Sequence, residues 1–411
     1  MARFQEPPKI LDLATEAQIR ADHAGILSRL HRITSSGKYI PEIDGLRFVA
    51  IVSVVLFHVQ GQLALPGPAD GWLWYVISHG RRGVELFFAI SGFILSYPFA
   101  MAILRGGKAP SLGAYFWRRV TRLEPPYVLS ILVRLPLLLL VMKKPLSLVL
   151  GHGLASLLYL HSLIFGTMSA VNPPAWSLEV EIQFYCLAPF LAALYFGLRP
   201  KILRRRLGLV IILIVGLLQV TLISGNYEGR LSLSILNYVQ YFFAGFVLCD
   251  LYIIDWDRMP QHWGWDLVGA TMWSWIFLSA DRSLHVLLPF ATLLAYISAF
   301  KGRLLKAIFR NAWIAAIGGM CYSIYLTHNL AITAAGFSLR TLLNSSRFSI
   351  AIKSVIAYFV SLPIVLGVGL LLYVAVERPC MDKNWPSQLA EWLDHHGIRL
   401  RSKASEVSAE S

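Results

Sequence analysis

The chain is 411 residues long, 56% hydrophobic and only 15% charged, with a mean hydropathy of +0.59. A soluble domain carries about 25% charged residues, so this composition excludes an ordinary globular enzyme and fits a helical bundle in lipid. The net charge of +14 lies in short stretches between apolar runs, such as Arg199, Lys201, Arg204, Arg205 and Arg206. That is the pattern of topology-setting loops and anionic-lipid contacts, not of a nucleic-acid face.

In chain order, residues 1–40 are polar. Positions 10–33 alternate apolar and charged residues at loosely helical spacing, which predicts an interfacial or cytoplasmic amphipathic helix. No apolar core precedes a cleavage site, so the first span is expected to direct insertion itself. A span needs about 20 apolar residues. Ten segments are candidates: 43–65, 84–104, 126–142, 176–198, 207–224, 235–254, 265–280, 284–300, 313–337 and 349–376. An eleventh apolar stretch, 146–165, is the difficulty. With both termini inside and 146–165 not crossing, the inner loops carry roughly twice the Lys and Arg of the outer ones, as the positive-inside rule requires. The stretch, with His152 and His161, is therefore expected as a re-entrant or outer-face helix walling an outward-facing site, because non-spanning backbone is tolerated only against protein or a water-filled cavity. The expected fold class is all-α integral membrane: a bundle of about ten transmembrane helices in the plasma (inner) membrane. A cytoplasmic segment (1–40) precedes one transmembrane domain (41–379), and a cytoplasmic polar tail (380–411) follows it.

Ionisable residues inside spans are costly and are functional candidates by default. Arg47 and His58 share the first span and lie on one face, separated by about 16 Å of helical rise. Glu85 opens the second span at its outer end. Glu179 and Glu181 fall in the first turns of the span from Trp176, and His328 in the outer half of its own span. Arg119 and Arg122, one turn apart, precede the third span at the inner face. Basic residues thus gather at the inner face, with imidazole and carboxylate in the outer half. That layering suits a donor with an anionic end. Guanidinium forks at Arg47, Arg119 and Arg122 match phosphate. His58 would act as general base on an acceptor hydroxyl, or as a covalent relay. His328 is the rival base, and Glu85 and Glu181 are the candidate orienting carboxylates. The bland readings are a snorkelling Arg47, a satisfied buried His58, and Arg119 and Arg122 as topology signals alone. Cys186, Cys249, Cys321 and Cys380 stand singly, and no spacing suggests a metal or redox pair.

These residues coincide with a set of motifs. Glu42-Ile-Asp-Gly-Leu-Arg47 through His58 resembles the first-span signature of the membrane-bound acyltransferase-3 family. Gly83-Val-Glu-Leu-Phe-Phe-Ala-Ile-Ser-Gly-Phe93 resembles its second-span motif. Arg119-Val-Thr-Arg122, followed by Pro125 and Tyr127, resembles its basic motif. Trp176-Ser-Leu-Glu-Val-Glu181, Tyr322-Ser-Ile-Tyr-Leu-Thr-His328 and Glu377-Arg-Pro379 match further ones. The resemblance runs from about Tyr39 to Pro379. It implies a ten-span O-acyltransferase that moves an acyl group, commonly acetyl from acetyl-CoA or another acyl-CoA, to a hydroxyl of a sugar or glycan, as in polysaccharide modification. It implies His58 as the catalytic histidine and Arg47, Arg119 and Arg122, with Tyr127 beside them, on the donor side. Glu181 and His328 match patterned positions without an assigned role. Ile182 stands where many relatives have a second acid, and Thr327 where an aromatic is common. A fused esterase-like domain found in some relatives is not expected, which implies transfer within the one domain. The competing classes are a transporter or flippase for a glycan or lipid-linked substrate, and a non-enzymatic scaffold or sensor.

Overall fold

The computed structural model describes residues 30, 32, 39–63, 71–223, 229–279, 282–345, 348–382 and 384–395. The amphipathic helix expected over 10–33 lies outside these, save Leu30 and Arg32, as does the tail from 396. Among the described residues all regular structure is helical. The helices used below are α1 (Pro41–Gln62), α2 (Trp72–Ser78), α3 (Gly83–Arg105), α4 (Leu112–Pro136), α5 (Leu146–Leu157), α6 (His161–Phe165), α7 (Trp176–Gly197), α8 (Lys201–Leu218), α9 (Val239–Ile254), α10 (Trp263–Leu278), α11 (Leu288–Lys301), α12 (Arg303–Phe309), α13 (Ala312–Gly319), α14 (Cys321–Ser345), α15 (Ile350–Leu372) and α16 (Trp385–His395).

Six helical stretches among the described residues are long and apolar enough to cross a membrane: Trp72–Arg105, Leu112–Val141, Pro173–Gly197, Lys201–Ile223, Leu284–Lys301 and Ala351–Glu377. The chain is therefore a multi-pass membrane protein. Each of the six overlaps one of the ten segments expected from the sequence. The other four segments fall on α1, α9, α10 and the pair α13–α14. Two of these, α9 and α10, have 16 residues, or about 24 Å of rise, short of a typical hydrocarbon core. Polar side chains interrupt α1 and α14. The segment expected to run unbroken over 313–337 divides at Met320, between α13 and α14. Asn311 caps α13 by accepting from the amides of Trp313 and Ile314.

The stretch 146–165 folds as two short helices, α5 with 12 residues and α6 with 5. Neither reaches across the hydrocarbon. Tyr159, between them, takes a left-handed backbone at φ 56°, a strained state for a bulky residue. It is held there by stacking on Tyr127, with ring centroids 4.7 Å apart, and by donating to Glu124 at 3.0 Å. The amide of Ser162 donates to Glu179 at 2.8 Å and fastens α6 to α7.

The core forms where α3 crosses α9. A Cβ on Gly92 would stand 2.2 Å from the Phe242 carbonyl oxygen, and one on Gly245 2.2 Å from that of Ala89. Only glycine allows this approach, and in lipid such close packing replaces the hydrophobic drive that water supplies. Phe184 of α7 stacks on Phe242 at 3.8 Å. Part of the basic stretch at 199–206 is a buried fastening, not a loop signal. Arg204 is paired with the fully buried Asp250 of α9, and Arg205 bridges Asp250 and Asp255, each at 2.6 Å. Lys201 hydrogen-bonds Asp255 at 3.0 Å and holds that carboxyl below its ordinary range.

Candidate active site

One end of α1 presents Asp44 and Arg47. Arg47 donates to Asp44 at 2.5 Å, and Arg32 approaches the same carboxylate at 3.8 Å. On α4, the Arg119 guanidinium lies 3.5 Å from the Tyr115 ring centroid and donates to the Tyr115 carbonyl at 2.8 Å. One turn on, Arg122 stands 3.9 Å from Glu377. That carboxylate is fully buried and accepts from the Ser323 amide at 3.0 Å and hydroxyl at 2.6 Å. It is the last residue of the π-helical turn Tyr373–Glu377 that closes α15, a distortion common at functional sites.

Arg47, Arg119 and Arg122 line a cavity of about 370 Å³. Phe87 and Ser91 of α3, Glu181 and Tyr185 of α7, and Tyr322 and Tyr325 of α14 are among its other lining residues. Glu181 accepts from the Ser91 and Tyr185 hydroxyls, both at 2.7 Å. Its electrostatic partners are Arg119 and Arg122.

His58 and His328 come together, with ring centroids 4.8 Å apart and planes at 67°. Each ring is oriented by its own helix. Nδ1 of His58 lies 2.8 Å from the Val54 carbonyl, and Nδ1 of His328 lies 2.7 Å from that of Tyr325. A carbonyl can only accept, so both Nδ1 atoms carry a proton, and in the neutral rings both Nε2 atoms keep a lone pair. His328 is fully buried, and its Nε2 has no partner among the described residues. A second cavity, about 340 Å³, is lined by Gln62 and Leu63 and by Asn329, Ile332, Thr333 and Phe337 of α14. Along α1 the order is Arg47 (first cavity), His58, Gln62 (second cavity). Along α14 it is Tyr325 (first cavity), His328, Asn329 (second cavity). The imidazole pair therefore stands between the two along both helices, lining neither.

The remaining expected site residues lie elsewhere. Glu85 is hydrogen-bonded to Tyr241 near Arg82 and lines neither cavity. Glu181 sits with the arginines. The backbone carbonyls of Val54 and Tyr325, not these carboxylates, orient the imidazoles. Tyr127 is buried, donates to the Ser156 carbonyl at 2.7 Å and tethers α4 to α5, away from both cavities. His152 and His161 pair with each other at 2.6 Å and also line neither cavity.

Sequence reasoning met Asp44, Ser91 and Tyr185 only within motifs and gave them no role, and it passed over Asn329 and Arg134. Arg134, on α4, is 4% exposed. It donates to the Leu326 carbonyl at 3.0 Å and reaches the Asn329 side-chain oxygen at 3.5 Å. The overlooked signal was a charged residue inside the apolar run 126–142. Among the described residues, no group of three or more His, Cys, Asp or Glu could hold a metal ion.

Residues 40–374 match the model of a family described as an acyltransferase domain. The chain belongs to the acyltransferase-3 family. The O-acetyltransferase OatA of Staphylococcus aureus is 25% identical over 319 residues, covering 71% of this chain and 50% of the relative. A putative peptidoglycan O-acetyltransferase, YrhL of Bacillus subtilis, is 30% identical over 211 residues, covering 48% of this chain and 30% of the relative. The peptidoglycan O-acetyltransferase OatA of Listeria monocytogenes is 29% identical over 182 residues, covering 41% and 27%. The chain spans half the length, or less, of these relatives. No solved structure matches it. Membership of the acyltransferase-3 family favours group transfer over the transporter and scaffold readings.

Proposed function

We propose that this acyltransferase-3 protein moves an acetyl group from acetyl-CoA to a hydroxyl of a cell-surface glycan, across a ten-span bundle whose two termini face the cytoplasm. The observation that carries the reading is the imidazole pair between two cavities. The cavity with Arg47, Arg119 and Arg122 suits the donor. Its arginines offer charge-assisted forks to phosphate at the cytoplasmic end, and its volume suits the acyl-bearing arm better than the whole nucleotide. The second cavity gives the acceptor a separate route to the same imidazoles. His58, through the Nε2 lone pair of its neutral ring, takes the proton of the acceptor hydroxyl as that oxygen attacks the thioester carbonyl. An imidazole suits this role at neutral pH. His328 is the rival base. The relatives' names point to a peptidoglycan sugar as the first acceptor to try.

Purified protein in lipid nanodiscs, given acetyl-CoA and defined peptidoglycan fragments or other surface oligosaccharides, should produce a glycan heavier by one acetyl group and release CoA. Release of CoA without any acetylated glycan across these acceptors, or no reaction with acetyl-CoA at all, would overturn the reading.

A further inference from the structure

Arg134 is a buried cation with no carboxylate partner among the described residues. Desolvating an unpaired charge is costly, and in an apolar span it marks function or a purpose-built partner. The surrounding groups are neutral: the Leu326 carbonyl, the Asn329 side-chain oxygen and Tyr325. Two of these acceptors hold the guanidinium on the turn of α14 that carries His328. Its Nε–H is buried and has no partner among the described residues. Arg134 is also at the depth of the imidazoles. It lies about 18 Å of helical rise beyond Arg122, as His58 lies about 16 Å beyond Arg47. The pair of histidines accounts for proton movement, and Arg134 brings a positive charge to the same turn of α14.

We propose that Arg134 is the electrophilic group of the site and stabilises the oxyanion formed when the acceptor attacks the acyl carbonyl. The inference rests on the acyl-transfer reading above. In the step, the acceptor oxygen bonds to the thioester carbonyl carbon and its proton passes to Nε2 of His58. The carbonyl π pair moves onto the carbonyl oxygen, whose negative charge faces the guanidinium. The pair then returns, the C–S bond breaks, and the departing thiolate takes the proton from the imidazolium. The products are the ester and free CoA. A fixed cation already desolvated in the ground state stabilises this charge with no reorganisation. The two protein acceptors keep the fork aimed, which a flexible ammonium would not reproduce.

The test compares wild type with Arg134→Gln, Arg134→Ala and Arg134→Lys in the purified transfer assay. Acetyl-CoA binding and thermal stability are measured on the same samples. Arg134→Gln and Arg134→Ala are expected to lower kcat by about 10²–10³-fold, the loss typical of an oxyanion donor, while acetyl-CoA affinity and acceptor KM stay near wild type. Added guanidinium ion should restore part of the Arg134→Ala rate, which a purely structural role would not allow. Neutral variants that fold and keep a wild-type kcat would overturn the proposal. So would a loss confined to acceptor KM, which would assign Arg134 to acceptor binding. If the neutral variants do not fold, Arg134→Lys decides. A misplaced charge should lower kcat by about 10–10²-fold, and an unchanged kcat would overturn the proposal. A wild-type protein that transfers nothing would instead sink the acyl-transfer reading itself, and the role of Arg134 with it.

Discussion

Glu377→Ala removes the carboxylate that ties the end of α15 to the start of α14. In the intact protein it accepts from the Ser323 amide at 3.0 Å and from the Ser323 hydroxyl at 2.6 Å. Each hydrogen bond to a charged group contributes about 1.5–3 kcal/mol, so the two together stand for about 3–6 kcal/mol. The Arg122 contact at 3.9 Å is too long for a hydrogen bond, and with a half-buried partner it adds little by comparison. The freed groups are buried away from water, so no solvent bond replaces the lost ones. Ser323→Ala deletes one of the two bonds and should cost about 1.5–3 kcal/mol. Glu377→Gln keeps an acceptor oxygen and should fall between wild type and Glu377→Ala. Thermal unfolding in detergent, followed by tryptophan fluorescence, would rank the three. A Glu377→Ala cost under about 1 kcal/mol, or a Ser323→Ala variant less stable than Glu377→Ala, would refute this account of the anchor.

Other outcomes follow from the same geometry. Gly245→Ala should destabilise the α3–α9 crossing by about 1–3 kcal/mol or more, measured by the same melt, because the added Cβ lands on the Ala89 carbonyl. A variant as stable as wild type would show that the helices part without cost. Arg119→Ala and Arg122→Ala should each raise the KM for acetyl-CoA, with Arg→Lys only partly tolerated. Unchanged donor affinity in both would leave them as packing and topology residues. Single cysteines placed in the loop near residue 199 should be labelled from the cytoplasmic side only; labelling from outside would sink the proposed ten-span topology.

The sequence made the helical membrane class and the chemistry-bearing residues legible, because both are local signals. An apolar run marks its own span, and a charge within it stands out. The meeting of His58 with His328 was legible only as a shared depth, since which faces of α1 and α14 meet depends on tertiary packing. The same limit explains the carboxylates. The sequence puts Glu85 and Glu181 at the depth of the imidazoles, but one turns to Tyr241 and the other to Ser91, Tyr185 and the arginines. Backbone carbonyls do the orienting, and those leave no mark in a sequence. Tyr127 sits in a motif beside Arg122, yet its ring turns toward Tyr159. The break at Met320 and the shortness of helices α9 and α10 were hidden by continuous hydrophobicity, which sets no boundary of its own. Arg134 was legible and overlooked.

The central claim is that acyl transfer occurs at the imidazole pair, with His58 as base. It is tested most directly by turnover of purified His58→Ala and His328→Ala at saturating acetyl-CoA, with donor binding measured alongside. Loss of a general base costs about 10²–10⁴ in rate. His58→Ala should therefore fall to near background while still folding and still binding acetyl-CoA. Near-normal turnover in the His58 variant would contradict the account.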